Sequence, residues 1–303
     1  MEYTYHMSIS RQTLSVVIVT YKSKNIIDDC INSIDNDIKI LIIDNSNSIE
    51  LKEYVEKKYK NVSCILSKIN LGMGSANNLG LKNIKTDYAL IINPDVILQK
   101  NTINEIIDSS KKIKSFSVIA PISIDKNYPN FKKRIELENK TEENAPFKVK
   151  SVDGYAMILN LKRLNNIDCF KNCNFFDENF FMYLENDDFC KRLIKNKENI
   201  YIVPNSKIKH LGGRAADSKY QNQIELSRNW HWIWSKFYFN KKHYGFFFAF
   251  LNGLPNFFSA LVKFILYSLI NNRFKKDIYS KRILGFLNAL FGKKSSYRPK
   301  IDS

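Results

Sequence analysis

Short apolar runs alternate with stretches of helical spacing along residues 1–120. Leu14 to Thr20 is a continuous apolar run rich in β-branched residues, which is typical of a strand buried on both faces of a parallel sheet. The same pattern recurs three times, with helical spacing between the runs. The predicted strands are 14–20, 38–43, 62–66 and 88–92, and the predicted helices are 25–34, 51–59 and 74–84. This alternation predicts a doubly wound α/β sheet, mostly parallel and flanked by helices.

The pattern is less regular beyond residue 120. Residues 125–150 are charged and polar, and we expect a mobile loop region there. An apolar run follows at 152–160, and an aromatic segment leads into an acidic helix within 175–195. A short strand is predicted at 201–203, and Pro204 is expected to end it.

Aromatic and basic residues interleave after residue 225. Residues 226–303 hold 14 Lys or Arg and two acidic residues, so +12 of the net charge of +17 lies in this tail. Its apolar part, 246–270, is interrupted by Gly253 and Pro255 and contains Lys263. The uninterrupted part, 257–270, is shorter than the roughly 20 residues that a spanning helix needs. We predict a pair of amphipathic helices at an anionic membrane surface. A membrane-spanning segment and a helical subdomain packed on the core are the alternatives.

The cysteine content and the charge of the chain indicate its cellular compartment and its binding partners. The five cysteines are odd in number and irregularly spaced, and Cys169 and Cys173 lack the partners of a zinc site, so we expect reduced thiols in the cytoplasm. Residues 1–12 are polar, and no secretory signal is expected. The positive charge would suit nucleic acid, but it lies on an apolar tail without a nucleic-acid-binding motif. We therefore expect no nucleic-acid partner, and a location at the inner face of the cell membrane.

Polar residues at the carboxyl ends of the strands are the first candidates for chemistry, because doubly wound sheets bind ligands there. Asp95 follows the 88–92 strand within Asn93-Pro94-Asp95. Mg²⁺ or Mn²⁺ takes one or two carboxylates and fills its other positions with phosphate oxygens and water, which Asp95 suits. Asp44 ends the second strand and could hydrogen-bond a ribose or a base. For both residues a turn or cap role is the structural alternative.

Three further segments carry polar or small residues. Glu185-Asn186-Asp187-Asp188 follows an aromatic segment, and carboxylates beside apolar walls can act as general bases; the alternative is an acidic helix start. His210 could complete a metal shell, although a lone histidine is often structural. Residues 70–80 are rich in Gly and Asn but contain neither the dinucleotide-binding pattern after the first strand nor a P-loop lysine.

Seven segments follow the order found in glycosyltransferase family 2, and the chain resembles the rhamnosyltransferase-like branch of that family, which has the GT-A fold. Looser matches occur at 241–245 and 285–293, so the resemblance covers nearly the whole chain. The seven segments are Val16–Lys22, Ile42–Ser48, Asn70–Leu81, Ile92–Val96, Val152–Leu159, Phe176–Leu193 and His210–Gly213.

The resemblance implies a role for each matching residue. Asp95 would hold a divalent cation, Mn²⁺ or Mg²⁺, and His210 would approach the metal and the diphosphate. Asp153 and Gly154 would lie near the sugar and the acceptor. The nucleotide site would be formed by Thr20, Tyr21, Asp44, Asn70, Gly72, Asn78 and Asn93.

Two departures from the family pattern concern the carboxylates. The family commonly has Glu-Asp at the start of its acidic helix, whereas this chain has Glu185-Asn186. Asn186 cannot accept a proton at neutral pH, so Glu185 is the first candidate for the general base, followed by Asp188 and then Asp187. Asn93 likewise replaces the first Asp of the metal-binding motif, which leaves Asp95 as the main anionic metal ligand.

The resemblance implies an inverting glycosyltransferase of cell-surface polysaccharide synthesis. The donor would be a UDP- or dTDP-sugar carrying a hexose or a rhamnose-like deoxysugar, and the acceptor a saccharide or lipid-linked saccharide. Residues 1–225 would be catalytic, with a nucleotide-sugar half at about 13–125 and an acceptor half at about 126–225, and 226–303 would associate with the membrane. A nucleotidyltransferase, which usually has a Gly-rich basic loop after its first strand, and a catalytically impaired homologue are the alternatives.

Overall fold

A computed structural model of the chain describes residues 8–125, 127–133, 144–213 and 215–298. These residues form two compact units. The first unit contains the described residues up to 71, together with 75–176 and 186–217. The second unit contains 72–74, 177–185 and the described residues from 218 onwards.

A ten-stranded sheet is the frame of the first unit, with strand order β3-β2-β1-β4-β9-β6-β10-β8-β7 and β5 paired with β10. Strands β3, β2, β1 and β4 are parallel, β9 is antiparallel to β4 and β6, and β10 is parallel to β6. The predicted α/β class is confirmed. The strands are β1 (Leu14–Thr20), β2 (Lys39–Asp44), β3 (Val62–Leu66), β4 (Tyr88–Ile92), β5 (Val96–Leu98), β6 (Val118–Ser123), β7 (Phe131–Lys133), β8 (Phe147–Val152), β9 (Ala156–Asn160) and β10 (Ile200–His210).

Helices cover the sheet and bury both of its faces. Because successive side chains of a strand point to opposite faces, Val16 and Ile18 of β1 join one apolar cluster and Val17 joins another. This double burial explains why the central strands are continuous apolar runs. The helices are α1 (Ile27–Asn32), α2 (Ile49–Lys58), α3 (Met73–Asn83), α4 (Thr102–Lys112), α5 (Leu161–Asn165) and α6 (Glu185–Lys195), with a 3-10 helix at Asp168–Cys173.

The predicted loop region 125–150 is partly wrong, because it contains β7 and the first residues of β8. These two strands pair antiparallel. Val149 is buried while Lys150 next to it is exposed, so the charged outer face of β8 concealed the strand. Residues 126 and 134–143 of the predicted loop lie outside the described residues.

The prediction that Pro204 ends a short strand is also wrong. Strand β10 continues through Pro204 to His210. Its register with β6 shifts between Val203 and Lys207, so Pro204 lies in an irregular stretch. A strand tolerates proline at such a bulge, because no ladder hydrogen bond there requires the missing N–H.

Three helices dominate the second unit: α7 (Gln221–Tyr244), α8 (Phe246–Leu269) and α9 (Arg273–Leu290), preceded by a 3-10 helix at Ser218–Tyr220. Their shared core contains Trp230, Trp234, Phe237 and Phe286. Where the amphipathic pattern predicted a helix pair, the tail therefore contains a three-helix unit with its own aromatic core. One described helix, α8, is long and apolar enough to cross a membrane by length and composition.

Candidate active site

Asp95 lies in the turn between β4 and β5, and its side chain is buried. The antiparallel pairing of β5 with β10 sets His210 opposite Val96, next to Asp95. The His210 Nε2 atom is 3.4 Å from Asp95 Oδ1, and the Leu211 N–H donates to the Asp95 carbonyl at 2.9 Å. The structure thus brings together the two residues predicted to hold a metal, which are 115 positions apart in the sequence.

The oxygen atoms at this turn test whether a divalent cation fits. Within the described part of the chain, neither Asp95 Oδ1 nor Asn93 Oδ1 has a hydrogen-bond partner, although both atoms are buried. The 3.4 Å between His210 and Asp95 exceeds the roughly 2.7–3.2 Å of an ordinary N–H···O bond. A buried carboxylate oxygen without a donor is costly unless a cation or a proton neutralises it. The donor set therefore fits a divalent cation.

The protein supplies few ligands of its own to such a cation. No group of three or more His, Cys, Asp or Glu side chains suited to a metal occurs among the described residues. The remaining positions of such a cation would be filled by oxygen atoms of a bound phosphate group and of water. Mg²⁺ and Mn²⁺ commonly bind in this way, with one or two protein carboxylates.

Tyr155 completes the surroundings of His210. The two rings stack with centroids 4.0 Å apart, and the Asn93 N–H donates to the Tyr155 carbonyl at 2.9 Å. Burial, together with the nearby charge of Asp153, raises the pKa of Tyr155 to about 12. Tyr155 therefore stays a neutral phenol that fixes the plane of the imidazole. The sequence contained no local signal for this role.

A second acidic group surrounds the β8–β9 turn. Burial raises the pKa of Asp153, and the charge of Asp187 adds to this effect, while Lys132 and His210 oppose it. Lys132 forms an ion pair with Asp187 at 2.5 Å. Asp153 therefore lies within electrostatic range of the Lys132–Asp187 ion pair and of His210. Lys132 was not predicted, because its partner lies 55 residues away in the sequence.

Asn186, which stands where the family commonly has Asp, makes a structural hydrogen bond. Its side-chain amide donates to the Val152 carbonyl at 3.0 Å. A Cβ atom on Gly154 would lie 3.2 Å from the Asn186 Cβ, so glycine allows the turn to approach α6 closely. The predicted sugar-site residues Asp153 and Gly154 thus lie directly beside the start of the acidic helix.

Asp188 is fully buried and paired within α6. Its Oδ2 accepts a hydrogen bond from Arg192 Nε at 2.8 Å, one helical turn away. The guanidinium of Arg192 also lies over the Phe170 ring, with the carbon 4.6 Å from the ring centroid. This pairing favours a structural role for Asp188 over the predicted role as a base.

Thr20 and Asp44 meet at the carboxyl ends of β1 and β2, where the sheet register sets them opposite each other, and Tyr21 follows Thr20 in the chain. Thr20 Oγ1 donates to Asp44 Oδ1 at 2.9 Å, and the Ser48 N–H donates to Asp44 Oδ2 at 2.8 Å. The buried carboxylate therefore holds the loop that leads into α2. It keeps acceptor capacity, since a carboxylate can accept about four hydrogen bonds.

Asn78 is used by the backbone of the chain. Its side-chain amide donates to the Phe176 carbonyl at 2.8 Å and accepts from the Phe176 N–H at 3.0 Å. Asn78 therefore ties α3 to the aromatic segment. Asn70 is half-buried in the loop before α3, next to Leu71, whose N–H donates to Asn45.

The aromatic loop (177–185) belongs to the second unit, as does Gly72. The Met73 N–H donates to the Phe181 carbonyl at 2.8 Å, and a Cβ on Gly72 would lie 2.2 Å from that same oxygen. Gly72 also has φ +80°, a left-handed conformation that glycine adopts without strain. Glycine at this position therefore lets the two backbones meet.

Helix α7 holds the aromatic loop in place. Ser235 Oγ donates to the Met182 carbonyl at 2.8 Å, and His231 stacks on Phe181 with centroids 4.4 Å apart. Tyr183 and Leu184 have φ values of 70° and 66°, which are uncommon for residues other than glycine. The strained pair directly precedes Glu185, a buried residue and the first of α6. Contacts between α7 and the aromatic loop thus stabilise the strained backbone of Tyr183 and Leu184, directly before the predicted base Glu185.

His231 is a structural histidine that the sequence analysis did not single out. Its Nδ1 lies 2.9 Å from Ser295 Oγ and its Nε2 lies 2.8 Å from the Tyr297 carbonyl. Burial lowers the pKa of His231 to about 3, so the ring is neutral at physiological pH. It connects the aromatic loop to the segment after α9.

Asp177, at the start of the aromatic loop, should stabilise the second unit only when ionised. Its carboxylate accepts from Lys242 at 2.7 Å and from Tyr238 at 3.0 Å. Burial alone would raise the pKa of Asp177, but the hydrogen bonds from Lys242 and Asn179 outweigh it and lower the pKa. We expect Asp177→Asn to lower the free energy of unfolding of this unit at neutral pH by about 1.5–3 kcal/mol.

The difference should shrink in acid. A lowered pKa gives stability that is present above the unfolded value of about 3.9 and is lost as the pH falls through the folded value. Urea unfolding followed by tryptophan fluorescence reports on this unit, since Trp230, Trp232 and Trp234 all lie in α7. Asp168→Asn is the control, because Asp168 is exposed in its ion pair. An Asp177→Asn effect that stays constant into acid would contradict the ionised contact.

Comparison with known proteins gives a family match over residues 15–183, to the family model described as Glycosyl transferase family 2. The low-salt glycan biosynthesis hexosyltransferase Agl10 of Haloferax volcanii is 26% identical in an alignment 210 residues long, which covers 62% of this chain and 63% of the relative. The rhamnosyltransferase WbbL of Escherichia coli is 25% identical in an alignment 198 residues long, which covers 57% of this chain and 73% of the relative. The chain thus spans less than two thirds of the length of Agl10.

Solved structures share the fold at low sequence identity. S. aureus TarS 1–349 in complex with UDP matches with a TM-score of 0.50 and 16% identity, covering 93% of this chain and 92% of that one. The mannosyltransferase PcManGT from Pyrobaculum calidifontis, in complex with GDP-Man and Mn²⁺, matches with a TM-score of 0.54 and 10% identity, covering 93% and 88%. Both are glycosyltransferases of the GT-A fold, so the predicted fold is confirmed.

Proposed function

This chain belongs to glycosyltransferase family 2, and we propose on that basis that it moves a sugar from a nucleoside diphosphate-sugar to an acceptor hydroxyl. The single observation that carries the proposal is the pair formed by Asp95 and His210 at the β4–β5 turn, with a buried carboxylate oxygen that has no hydrogen-bond donor among the described residues. A pair of this kind suits the diphosphate of a sugar nucleotide accompanied by a cation.

Asp95 and His210 are the residues that would hold the divalent cation, Mn²⁺ or Mg²⁺. Such a cation, when bound, neutralises the negative charge that develops on a departing nucleoside diphosphate. Tyr155 keeps the imidazole of His210 in one plane through their stacked rings. Thr20, Tyr21 and Asp44 lie at the carboxyl ends of β1 and β2, where doubly wound sheets bind nucleotides.

The transfer is proposed to be inverting, in a single displacement. A carboxylate takes the proton of the acceptor hydroxyl as its oxygen attacks the anomeric carbon and the bond to the diphosphate breaks. Glu185 is the first candidate for this base. Asp187 and Asp153 follow it, because Asp153 lies within electrostatic range of the Lys132–Asp187 ion pair and of His210.

The donor is proposed to be a UDP- or dTDP-sugar carrying a hexose or a rhamnose-like deoxysugar. The similarity to a hexosyltransferase and to a rhamnosyltransferase supports this range. The acceptor is proposed to be a saccharide or lipid-linked saccharide of cell-surface polysaccharide synthesis. We assign catalysis to residues 1–225 and membrane association to residues 226–303. Within residues 1–225, the aromatic loop contacts helix α7 of the tail.

An anionic membrane surface, at the inner face of the cell membrane, is the proposed location of the enzyme. Helix α8 exposes most of its apolar side chains, and the tail carries +12 of the net charge of +17. A basic, apolar surface is attracted to anionic lipid by both of its properties.

A panel of nucleotides with and without metal tests the proposal. We expect UDP or dTDP to raise the melting temperature of the protein only in the presence of Mn²⁺ or Mg²⁺, since ligands that bind the native state stabilise it. Turnover should release a nucleoside diphosphate. Release of pyrophosphate would instead favour a nucleotidyltransferase, and metal-dependent binding without turnover of any donor would favour an impaired homologue.

A further inference from the structure

Helix α8 directs a continuous stripe of apolar residues into solvent. The stripe runs the full length of the helix at intervals of three or four residues, the spacing of one helical face. Phe247 and Leu269, near its two ends, are 80% and 79% exposed. The stripe consists of Phe247, Leu251, Pro255, Phe258, Val262, Ile265 and Leu269. Of the 24 residues of α8, all of which the structure describes, only Ala249 and Ala260 are buried.

The opposite face of α8 packs on its neighbours in the second unit. A Cβ atom on Gly253 would lie 2.3 Å from the Phe286 ring of α9, so the two helices are in close contact there. Phe257 and Phe286 have ring centroids 5.1 Å apart, and Tyr267 stacks on Tyr279 at 5.5 Å. Because α8 residues 253–267 meet α9 residues 286–279 in reverse order, α9 runs antiparallel beside the second half of α8.

The charges of the neighbouring helix α9 bear on whether α8 can span a bilayer or lies along its surface. Helix α9 carries Arg273, Lys275, Lys276, Lys281 and Arg282. If α8 crossed the hydrocarbon, the charged helix packed against it would be carried in as well. Each Lys or Arg at the centre of a membrane is strongly unfavourable. The packing therefore disfavours a spanning arrangement of this folded unit, which the length and composition of α8 alone left open.

Cations lie beside aromatic rings at the α8–α9 end of the unit. Lys263 Nζ is 5.4 Å from the Tyr279 ring centroid, and Lys275 Nζ is 5.1 Å from that of Tyr267. Tyrosine rings and lysine stems are typical of the headgroup level of a membrane, where one end is apolar and the other is wet. Residues 246–290 hold six Lys or Arg and one Asp, a net charge of +5 beside the stripe. A second copy would bring the same positive charge against it, whereas anionic lipid complements it.

We propose that α8 lies in the plane of an anionic bilayer, with the stripe from Phe247 to Leu269 in the acyl boundary and the α8–α9 cations at the lipid phosphates. A helix of 24 residues gives a contact about 36 Å long. The inference rests on the proposed membrane location and deepens it by naming the face, the orientation and the lipid chemistry.

Cosedimentation of the full chain with vesicles tests the proposed surface. We expect binding to vesicles that contain phosphatidylglycerol and much weaker binding to pure phosphatidylcholine. Val262→Glu should lower the partition coefficient roughly tenfold or more, because it removes an inserted side chain and adds a charge. Ile49→Glu is the matched control, since Ile49 and Val262 are both 64% exposed and Ile49 begins α2 of the first unit. If both variants lost vesicle binding equally, or if neither lost any, the proposed membrane-binding surface would be overturned.

Substitution of the α9 lysines tests the proposed contact with lipid phosphates. Lys275→Gln and Lys276→Gln should each weaken binding to phosphatidylglycerol vesicles roughly fivefold, and the effect should fade at high salt. Light scattering without lipid should show that the wild-type protein and Val262→Glu have the same oligomeric state. A change of oligomeric state in that variant would assign the stripe to a second copy and overturn the proposal.

Depth measurements separate the in-plane arrangement from a spanning one. A fluorophore is attached to cysteine introduced at Leu251, Phe258 or Leu269 and is quenched by lipids brominated at defined depths. The background carries Cys169→Ser and Cys173→Ser, and Cys30, Cys64 and Cys190 are buried. Equal depth at the three sites is expected, and a label at 258 far deeper than the outer two would overturn the proposal. Release of nucleoside diphosphate, measured in parallel, tests the enzymatic proposal independently of these outcomes.

Discussion

Asp95→Asn is expected to reduce turnover by roughly 10³-fold or more while the protein stays folded. The Asp95 carboxylate is buried at the β4–β5 turn, 3.4 Å from His210 Nε2, and its Oδ1 has no hydrogen-bond donor among the described residues. An amide of the same shape removes the anionic ligand that a divalent cation requires. Stabilisation of the leaving diphosphate by a metal is worth several kcal/mol, and each 1.36 kcal/mol is a factor of about ten in rate.

Stability separates this effect from misfolding. Removing the charge of a buried carboxylate whose Oδ1 has no donor among the described residues should leave the melting temperature of Asp95→Asn unchanged or slightly raised. Asp188→Asn is the contrasting variant, because Asp188 is equally buried but paired with Arg192 at 2.8 Å. Breaking that pair should cost about 3–5 kcal/mol of stability. Initial rates of nucleoside diphosphate release, with melting curves of both variants, distinguish a loss of catalysis from a loss of folding. More than a tenth of wild-type activity in Asp95→Asn would remove the metal assignment.

The second large effect is expected from Glu185→Gln, which should lower kcat about 10²–10⁴-fold, the usual contribution of a general base. Glutamine keeps the size of the side chain and cannot take a proton. Glu185 is buried, and the strained backbone at Tyr183 and Leu184 before it is held by the contacts of α7 with the aromatic loop. A constrained base of this kind keeps its geometry during turnover.

Two matched variants test the assignment of the base. Asp187→Asn should lose far less rate than Glu185→Gln, because Asp187 is paired with Lys132. Asp153→Asn covers the remaining carboxylate, which lies within electrostatic range of that ion pair. If Asp153 were the base, its raised pKa would move the acidic limb of the kcat/KM profile upward, and the substitution would abolish that limb. A larger loss in Asp187→Asn or Asp153→Asn than in Glu185→Gln would transfer the role to that residue.

The central strands could be predicted from the sequence because their signal is local. Largely apolar runs at 14–20 and 88–92 coincide with β1 and β4, since a parallel sheet covered on both faces buries every position of its central strands. The run 62–66 coincides with β3, the edge strand, in which Ser63 is exposed. Strand β8 was missed because lysines cover its outer face, and the length of β10 was missed because Pro204 lies where the register shifts.

The candidate site was predictable only in part. Asp95 and Asp44 were found because strand ends in an α/β sheet face the ligand. Tyr155 and Lys132 were not found, since their partners His210 and Asp187 lie 55 residues away in the sequence in each case. Composition also could not separate Asp187 from Asp188, whereas the structure shows one paired with a surface lysine and the other buried against Arg192.

The sequence by itself determined the α/β class, the family and the basic, apolar character of the tail, because periodicity, ordered motifs and charge are properties of the chain. Only the tertiary structure decided that His210 meets Asp95, that α7 holds the loop before Glu185, and that α8 turns its apolar stripe outward while α9 places charges beside it. These facts depend on contacts between residues far apart in the chain, and such contacts arise only from the packing of whole helices and strands.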